Sequence, residues 1–148
     1  MRTMGIGSTF KAAGGPMVDD DHKFALAWRT EQPVLEYALS GYWTVADARA
    51  WKAAISAKVK QRSGTGVWYM MGDLSELKTQ PDEVNNIRDE VTQMTLANGL
   101  GGCVMYGISV VGLIQLRRLL KASGRAEKFA YTETAAEAER QLKTWMTP

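Results

Sequence analysis

The sequence contains few of the residues that most often carry catalysis, metal binding or cross-links. Its 148 residues include one cysteine and one histidine, which excludes an internal disulfide and leaves no ligand set for a cysteine–histidine zinc site. A single cysteine is typical of a reducing compartment, and we therefore expect a cytoplasmic protein. The sequence also lacks a run of roughly 18 to 20 apolar residues, the length that spans a membrane.

Neither basic nor acidic residues are in clear excess. The 18 basic and 16 acidic residues give a formal net charge of +2, whereas a nucleic-acid-binding domain usually carries a basic stripe and a clearly higher positive charge. We therefore expect no nucleic-acid partner. The hydrophobic share of 45% and the charged share of 23% are those of an ordinary globular domain. The length favours one domain with a core of its own.

The N-terminal segment differs from the rest of the chain. It is rich in glycine and ends near the acidic run Asp19–Asp21. It contains no continuous apolar segment of the kind that a secretory signal needs. We predict a flexible arm over residues 1–23, with Met17 as an alternative start, and a single domain over residues 24–148.

Hydrophobic periodicity predicts nine secondary-structure elements in this domain. Alternating or continuous apolar segments predict strands, and apolar residues spaced by three and four predict helices. The predicted helices start at Thr44, Pro81, Ser109 and Glu133, and the predicted strands are KFALAWRT, VLEYALSG, GVWYMMGD, GGCVMYG and AEKFAYT. Strands separated by a helix pair in parallel. The order β-β-α-β-α-β-α-β-α therefore predicts an α/β fold, with one mixed, mostly parallel sheet of about five strands and with four helices.

These segments resemble the STAS family, and within it the SpoIIAA-like group of small bacterial proteins. The resemblance rests on LEYALSGYWTVADARAWKAAI, GVWYMMGDLSEL, GGCVMYG and VVGLIQLRRLLKASGRAEKFAYTETAAEAERQL. It extends from Phe24 to Met146 and follows the family's order of elements. The family includes anti-sigma-factor antagonists and the cytoplasmic domains of sulfate transporters. The resemblance implies a non-catalytic regulatory module that acts through protein–protein interaction.

One family motif is missing from the sequence. In phosphoregulated members, Asp-Leu-Ser is followed by an acidic-serine-serine-glycine motif at the start of the second helix, and a serine of that motif is phosphorylated. The corresponding segment here is TQPDEV, in which the serine position falls near Asp82. The resemblance therefore implies a regulatory module without the family's phosphorylatable serine.

An acid at the carboxyl end of a buried strand is a candidate catalytic residue in an α/β protein. Asp73 follows the apolar run of the third strand, where we predict that strand to end. A phosphorylatable aspartate of the receiver type needs further acids at the end of the first strand and a lysine after a later strand, and this sequence has neither in place. We expect Asp73 to bind backbone N–H groups of the following turn. We expect no enzyme, no cofactor and no metal site.

Two further groups of residues have both a plain and a functional interpretation. The free amides after YGIS, at the start of the third helix, could hold an anion or a carboxylate of a partner. Basic residues concentrate from the end of the third helix into the fifth strand, where they complement the helix dipole. They could instead dock an acidic partner or an anionic membrane surface. These residues are Arg117, Arg118, Lys121, Arg125 and Lys128.

A protein–protein surface is the first functional hypothesis. Its centre is the outer face of the second helix, where acids extend beyond the first turn and Arg88 is the one base. Trp43, in the turn after the second strand, is predicted to be exposed near this face, as partner-binding aromatic residues often are. The predicted outer face consists of Asp82, Glu83, Asn85, Asn86, Asp89 and Glu90.

An apolar small-molecule or lipid carrier is the second hypothesis, and the SpoIIAA-like resemblance also permits it. Methionine side chains adapt to irregular apolar ligands. The pocket would lie between the second and third helices and the sheet, lined by Met70, Met94, Met105 and Ile108. A drug-sized ligand needs a cavity of roughly 300 Å³ or more, so the cavity volume separates the two hypotheses. A homodimer is compatible with both.

Overall fold

The computed structural model describes residues 23–148, apart from residue 63 and residues 124–125. The predicted arm, except for Lys23, therefore lies outside the described residues. So do His22, the predicted helix end at Gly124, and Arg125.

Five strands and four helices alternate along the described chain in the predicted order. The strands are β1 (Phe24–Trp28), β2 (Val34–Gly41), β3 (Trp68–Leu77), β4 (Leu100–Tyr106) and β5 (Phe129–Thr132). The helices are α1 (Val45–Gln61), α2 (Asp82–Ala97), α3 (Val110–Ser123) and α4 (Ala135–Met146). The sheet order is β1-β2-β3-β4-β5, with β1 antiparallel to β2 and the other neighbours parallel. The predicted α/β fold is confirmed.

The sheet has a large apolar core on one face. This core contains residues of β1 to β4 together with the inner sides of α1, α2 and α3. The predicted apolar stripe of α1 is buried as expected, and Ile55 is completely inaccessible. In α2 the buried apolar residues are Val84, Ile87 and Val91, while Met94 is only partly buried. Full burial of one such side chain contributes about 1.5–3 kcal/mol.

A smaller core lies on the opposite face, under α4. Ala138 and Leu142 of this helix are fully buried against Tyr69, Met71 and Val104 of the sheet. The Tyr69 and Trp145 rings stack with their centroids 6.2 Å apart. Ala135, which the periodicity places in this core, is exposed because it is the first residue of the helix.

Arg29 connects α4 to the first hairpin. Its guanidinium donates hydrogen bonds to the carboxylates of Glu36 in β2 and Glu139 in α4. Glu36 is buried, with 8% of its surface exposed, so its charge needs this partner. The ion pair therefore holds α4 against the strand that begins the parallel part of the sheet.

Two predicted strand boundaries are wrong. β3 does not end at Asp73 but continues to Leu77, because Glu76 and Leu77 pair with Ser40 and Gly41 after a register shift in β2. β5 is shorter than predicted, because residues 126–128 form a 3₁₀ turn before Phe129. The longer β3 extends the sheet beyond the point where the chain was expected to leave it.

Gly72 tests the packing of the large core. A Cβ atom at this position would lie 2.5 Å from the hydroxyl oxygen of Tyr37 and would overlap its ring. We expect Gly72→Ala to lower the free energy of unfolding by about 1–3 kcal/mol, the usual cost of overpacking. In a Tyr37→Leu background the same change should cost less than about 1 kcal/mol, since the ring that it meets is gone. Urea unfolding of the four proteins measures this coupling, and equal costs in both backgrounds would contradict the packing.

Candidate functional site

Gln80 joins the two loops that leave β2 and β3 at their carboxyl ends. Its side chain is 3% exposed. Its Oε1 accepts a hydrogen bond of 2.8 Å from the backbone N–H of Trp43, and its Nε2 donates to the carbonyl oxygens of Gly41 at 2.8 Å and Lys78 at 2.7 Å. One amide group thus binds three backbone groups from two loops. These loops are residues 42–44 and residues 78–81.

Asn85 extends this hydrogen-bond network into α2. The residue is 7% exposed, so its placement on the outer face of the helix was wrong. Its Nδ2 donates to the carbonyl oxygen of Gln80 at 3.3 Å, and its Oδ1 accepts from Nη1 of Arg88 at 3.1 Å. The burial of Gln80 and of Asn85 was not predicted from the sequence, because an isolated polar residue in a loop or first helical turn usually faces solvent.

Trp43 is buried and not exposed, which corrects the prediction for this residue. It is 3% exposed, and its ring packs near Phe24 and Trp51 with centroid distances of 6.1 and 6.4 Å. Its indole N–H donates to the carbonyl oxygen of Ser40 at 2.8 Å. Trp43 directly precedes Thr44, the residue that caps α1. An apolar residue at that position commonly packs back onto the helix, and this rule would have predicted the burial.

Tyr42 is the exposed aromatic residue of the same loop. It is 64% exposed, and the ammonium group of Lys23 donates to its carbonyl oxygen at 2.5 Å. The Gln80 side chain hydrogen-bonds to the next residue in the chain, Trp43. The hydrogen bonds of Gln80 to Gly41, Trp43, Lys78 and Asn85 are called the Gln80 network below. Tyr42 therefore lies in the loop that the Gln80 network holds beside the start of α2.

Asp73 makes local hydrogen bonds, as predicted. Its Oδ1 accepts from the backbone N–H of Ser75 at 3.0 Å and from the Ser75 hydroxyl at 2.6 Å. Such bonds within two residues are typical of an aspartate that shapes its own backbone. Among the described residues, no group of three or more histidine, cysteine, aspartate or glutamate residues is arranged to hold a metal ion.

An open polar depression lies at the end of β3. Its volume is about 290 Å³, and Ser75, Thr79 and Ser109 contribute hydroxyl groups to its lining. The turn after β4 packs tightly on this end of β3, because Gly107 has φ +78° and a Cβ there would lie 2.8 Å from Cβ of Ser75. The Ser109 hydroxyl accepts from the backbone N–H of Gly112 at 3.0 Å and thereby caps α3. Part of the predicted anion-binding amide set is therefore already satisfied.

The outer face of α2 is acidic. Asp82, Glu83 and Asn86 are exposed and Asp89 is partly exposed. Glu90 differs from the others, since its carboxylate pairs with the ammonium group of Lys52 in α1 at 2.8 Å. This hydrogen bond lowers the pKa of Glu90. Asp82 and Glu83 lie in the first turn, where a negative charge stabilises the helix.

Arg88 does not neutralise this acidic face. It lies one turn after Asn85 and lines a cavity between α2, α3 and the sheet. The four ion pairs found in the described residues do not include Asp82, Glu83 or Asp89. The acidic face is therefore formed by Asp82, Glu83, Asn86 and Asp89, with Glu90 at its edge.

The cavity lined by Arg88 is small and only partly matches the predicted pocket. Its volume is about 60 Å³, and its lining includes Met70 and Met105. Met94 packs against the core outside it, and Ile108 lines a separate, open groove of about 720 Å³ between α3 and the start of α4. The predicted set of four lining residues is therefore divided between three places.

Tyr37 and Cys103 meet at the floor of this cavity. The Tyr37 hydroxyl and the Cys103 sulfur are 3.5 Å apart, within hydrogen-bonding distance. Burial raises the pKa of Tyr37 well above its usual value and the pKa of Cys103 to about 12. Both groups are therefore neutral at physiological pH, so Cys103 lacks the thiolate that a nucleophile requires.

The described basic residues of α3 and of the 3₁₀ turn before β5 differ in their contacts. Arg118 and Lys121 are exposed. The Arg117 guanidinium lies 5.9 Å from the centre of the Tyr131 ring, and the Lys128 ammonium donates to the carbonyl oxygen of Leu100 at 3.2 Å. None of the described helices is both long enough and apolar enough to cross a membrane.

Solved structures of known proteins share this architecture. The phosphorylated form of the Bacillus cell fate determinant SpoIIAA is 16% identical, with a TM-score of 0.53 over 80% of this chain and 98% of that one. The unphosphorylated anti-sigma factor antagonist SpoIIAA is 14% identical, with a TM-score of 0.54 over 82% and 96%. An anti-sigma factor antagonist from Mycobacterium paratuberculosis is 20% identical, with a TM-score of 0.51 over 86% and 99%.

The chain has the STAS fold of SpoIIAA. No family model matches the sequence, and no curated protein matches it. In this fold, the position that the resemblance assigns to the phosphorylated serine falls near Asp82, the exposed first residue of α2. The fold thus agrees with the resemblance predicted from the order of elements.

The Gln80 network predicts a stability effect at an uncharged loop residue. We expect Gln80→Leu to lower the free energy of unfolding by about 2 kcal/mol or more, because the buried N–H of Trp43 loses its acceptor. Gln80→Glu keeps that acceptor but buries a charge and places a carboxylate oxygen against the carbonyl oxygens of Gly41 and Lys78, so its cost should equal or exceed that of Gln80→Leu. Gln93→Leu, on the exposed side of α2, is the control and should change stability by less than about 0.5 kcal/mol. Urea unfolding measures all three, and equal stability of the Gln80 and Gln93 variants would contradict the network.

Proposed function

We propose that this STAS domain is a non-catalytic regulatory module of the cytoplasm that binds a protein partner through the acidic face of α2. The likeness to anti-sigma factor antagonists supports a regulatory protein-interaction role. The observation that carries the choice of surface is the set of unpaired acids on α2. Asp82, Glu83 and Asp89 have no cationic partner among the described residues, although the chain as a whole is slightly basic.

The chemistry of the partner follows from the charge of this face. Only Asp82 and Glu83 lie in the first turn, so the helix dipole does not account for Asp89, two turns further along. Clustered charges of one sign speed the encounter with a surface of opposite charge and give the association a salt dependence. The proposed partner therefore presents basic residues to α2.

Tyr42 takes the role first assigned to Trp43. An exposed aromatic ring supplies contact area at a protein interface, and Tyr42 is exposed where Trp43 is buried. The Gln80 network connects the Tyr42 loop to the start of α2. The proposed surface thus combines an acidic helix with one aromatic side chain from the neighbouring loop.

The alternative, a carrier of lipids or drug-sized apolar molecules, has little support. The partly open cavity next to the predicted methionines has a volume of about 60 Å³, far less than the roughly 300 Å³ that a drug-sized ligand occupies. The larger groove beside α3 is open and includes Arg117, Glu133, Glu137 and Arg140 in its lining, so it does not offer an enclosed apolar site.

The absence of the family's serine predicts regulation without phosphorylation. Asp82 lies near the position of the family's phosphorylated serine and is already acidic. A kinase therefore cannot switch the charge at this position. After incubation with cell extract and ATP, peptide mass spectrometry should find residues 73–90 unmodified. Ser75 and Thr79 are the exposed hydroxyls of this segment, and phosphate on either of them would contradict the prediction.

Neutralising the acidic face should weaken partner binding without unfolding the domain. The variant Asp82→Asn/Glu83→Gln/Asp89→Asn removes three negative charges from the proposed surface. Exposed charges contribute little to stability, and loss of the two first-turn acids costs about 0.3–1 kcal/mol each. Capture of partners from an extract of the source organism, quantified by mass spectrometry at low and high salt, should fall several-fold at low salt.

A matched control distinguishes the effect of losing the acidic face from the effect of changing the net charge of the protein. The variant Glu31→Gln/Glu127→Gln/Glu133→Gln also removes three negative charges, from residues that are exposed elsewhere. A protein whose capture falls with the first variant and not with the second is a partner of the acidic face. If both variants lose the same proteins equally, or neither loses any, the proposed surface is refuted. Tyr42→Ala, tested alongside, should weaken capture of the same protein.

A further inference from the structure

The small cavity between α2, α3 and the sheet contains a single formal charge. Its walls are mainly apolar and include Leu39, Met70, Met105, Leu116 and Leu120. The guanidinium group that lines the same cavity belongs to Arg88 of α2. Arg88 is partly exposed at the edge of this partly open space, and an arginine beside an apolar wall is unusual because burial of an unpaired charge is unfavourable.

The residues that the structure describes supply no counter-charge for Arg88. Among the described residues, no carboxylate oxygen lies within 4.0 Å of its nitrogen atoms. Its hydrogen bond to Oδ1 of Asn85 is to a neutral acceptor. Removal from water lowers the pKa of Arg88, yet an arginine side chain remains protonated at neutral pH. Tyr37 and Cys103 are neutral there, so the cavity is positively charged.

The other polar groups of the lining are already engaged. The Thr92 hydroxyl donates to the carbonyl oxygen of Arg88 at 3.2 Å, and the Thr95 hydroxyl donates to the carbonyl oxygen of Thr92 at 2.8 Å. Tyr37 and Cys103 bond to each other. A guanidinium group has five N–H donors, and the Arg88 donors that no protein group accepts are accessible to solvent, since the buried side-chain atoms without a hydrogen-bond partner do not include an Arg88 nitrogen.

The volume limits what could bind there. One water-sized sphere takes about 10–15 Å³ of such volume, so the cavity of about 60 Å³ has room for roughly four to six non-hydrogen atoms. A phosphate would fill it with polar oxygens against an apolar wall, which is unfavourable. A neutral hydrocarbon would leave the charge of Arg88 unpaired. A small molecule with one carboxylate and a short apolar chain would pair with the charge of Arg88 and also fit the apolar wall.

We propose that this cavity is a binding site for a short-chain monocarboxylate such as butyrate. The carboxylate accepts hydrogen bonds from the Arg88 guanidinium, and the alkyl chain contacts Met70, Met105 and Leu116. Arg88, Thr92 and Phe129 are the lining residues that keep partial exposure, and the ligand enters on their side. The site is independent of the acidic face, since it uses the inward-facing side of α2.

The experiment compares three ligands on the wild-type protein. Amide chemical shifts are followed by ¹H–¹⁵N NMR during titration with sodium butyrate, 1-butanol or sodium phosphate at constant ionic strength and pH. Butyrate should give saturable shifts at residues that line the cavity, and butanol and phosphate should bind at least tenfold more weakly. No saturable butyrate shifts, equal binding of butanol, or equal binding of phosphate would each refute the site.

Two variants and a chain-length series complete the test. Arg88→Met keeps an unbranched apolar side chain without the charge, and it should weaken butyrate binding at least tenfold. Arg118→Met, on the exposed side of α3, is the matched control and should bind within twofold of wild type. Octanoate should bind more weakly than butyrate because the cavity is too short for it. Unchanged binding by Arg88→Met, or tighter binding of octanoate, would overturn the proposal. If Arg88→Met does not fold, the three-ligand comparison and the octanoate titration of the wild-type protein still decide whether the proposed site exists.

Discussion

Right-handed crossover connections determine most of this structure. Strands β2 to β5 follow one another in the sheet in the order of the sequence. Because each parallel crossover is right-handed, the three connecting helices must lie on the same face. That face accordingly carries the large core with α1, α2 and α3. The last helix, α4, is not one of these crossovers and packs on the other face, where it forms the small core. The cavity and the acidic surface are the inner and outer sides of the middle crossover helix.

The elements of the fold could be predicted because periodicity and capping agree. Thr44 and Asp47 form a capping box at the predicted start of α1, and the Ser109 hydroxyl caps α3 at its predicted start. The strand ends were harder to predict, because they depend on pairing partners. The register shift between Ala38 and Ser40 lets β3 extend to Leu77, and no pattern within GVWYMMGDLSELK indicates it.

The candidate site was harder to predict for a different reason. Polar residues on an amphipathic helix are assigned to solvent by default, yet Asn85 and Thr95 of α2 are buried. Together with Arg88 and Thr92 they form a polar stripe at helical spacing along the edge of the apolar stripe. A hydrophobicity pattern cannot distinguish such a stripe from the outer face, since the hydrogen bonds of these side chains are all within five residues and their burial depends on how the helix packs against the rest of the fold. Trp43 shows the converse error, because an aromatic residue in a loop can belong to the core.

The Gln80 amide group has a consequence for how the loops move. Backbone amides in exposed loops usually exchange with solvent through small local openings that cost little free energy. The N–H of Trp43 is bonded to Gln80, and that of Lys78 is bonded to the carbonyl oxygen of Gly41 at 3.2 Å. Opening either loop breaks bonds in both, so the two segments should open together as one cooperative unit. Slow, matched exchange rates at two loop amides 35 positions apart (78 − 43) would then be the signature of a preformed surface.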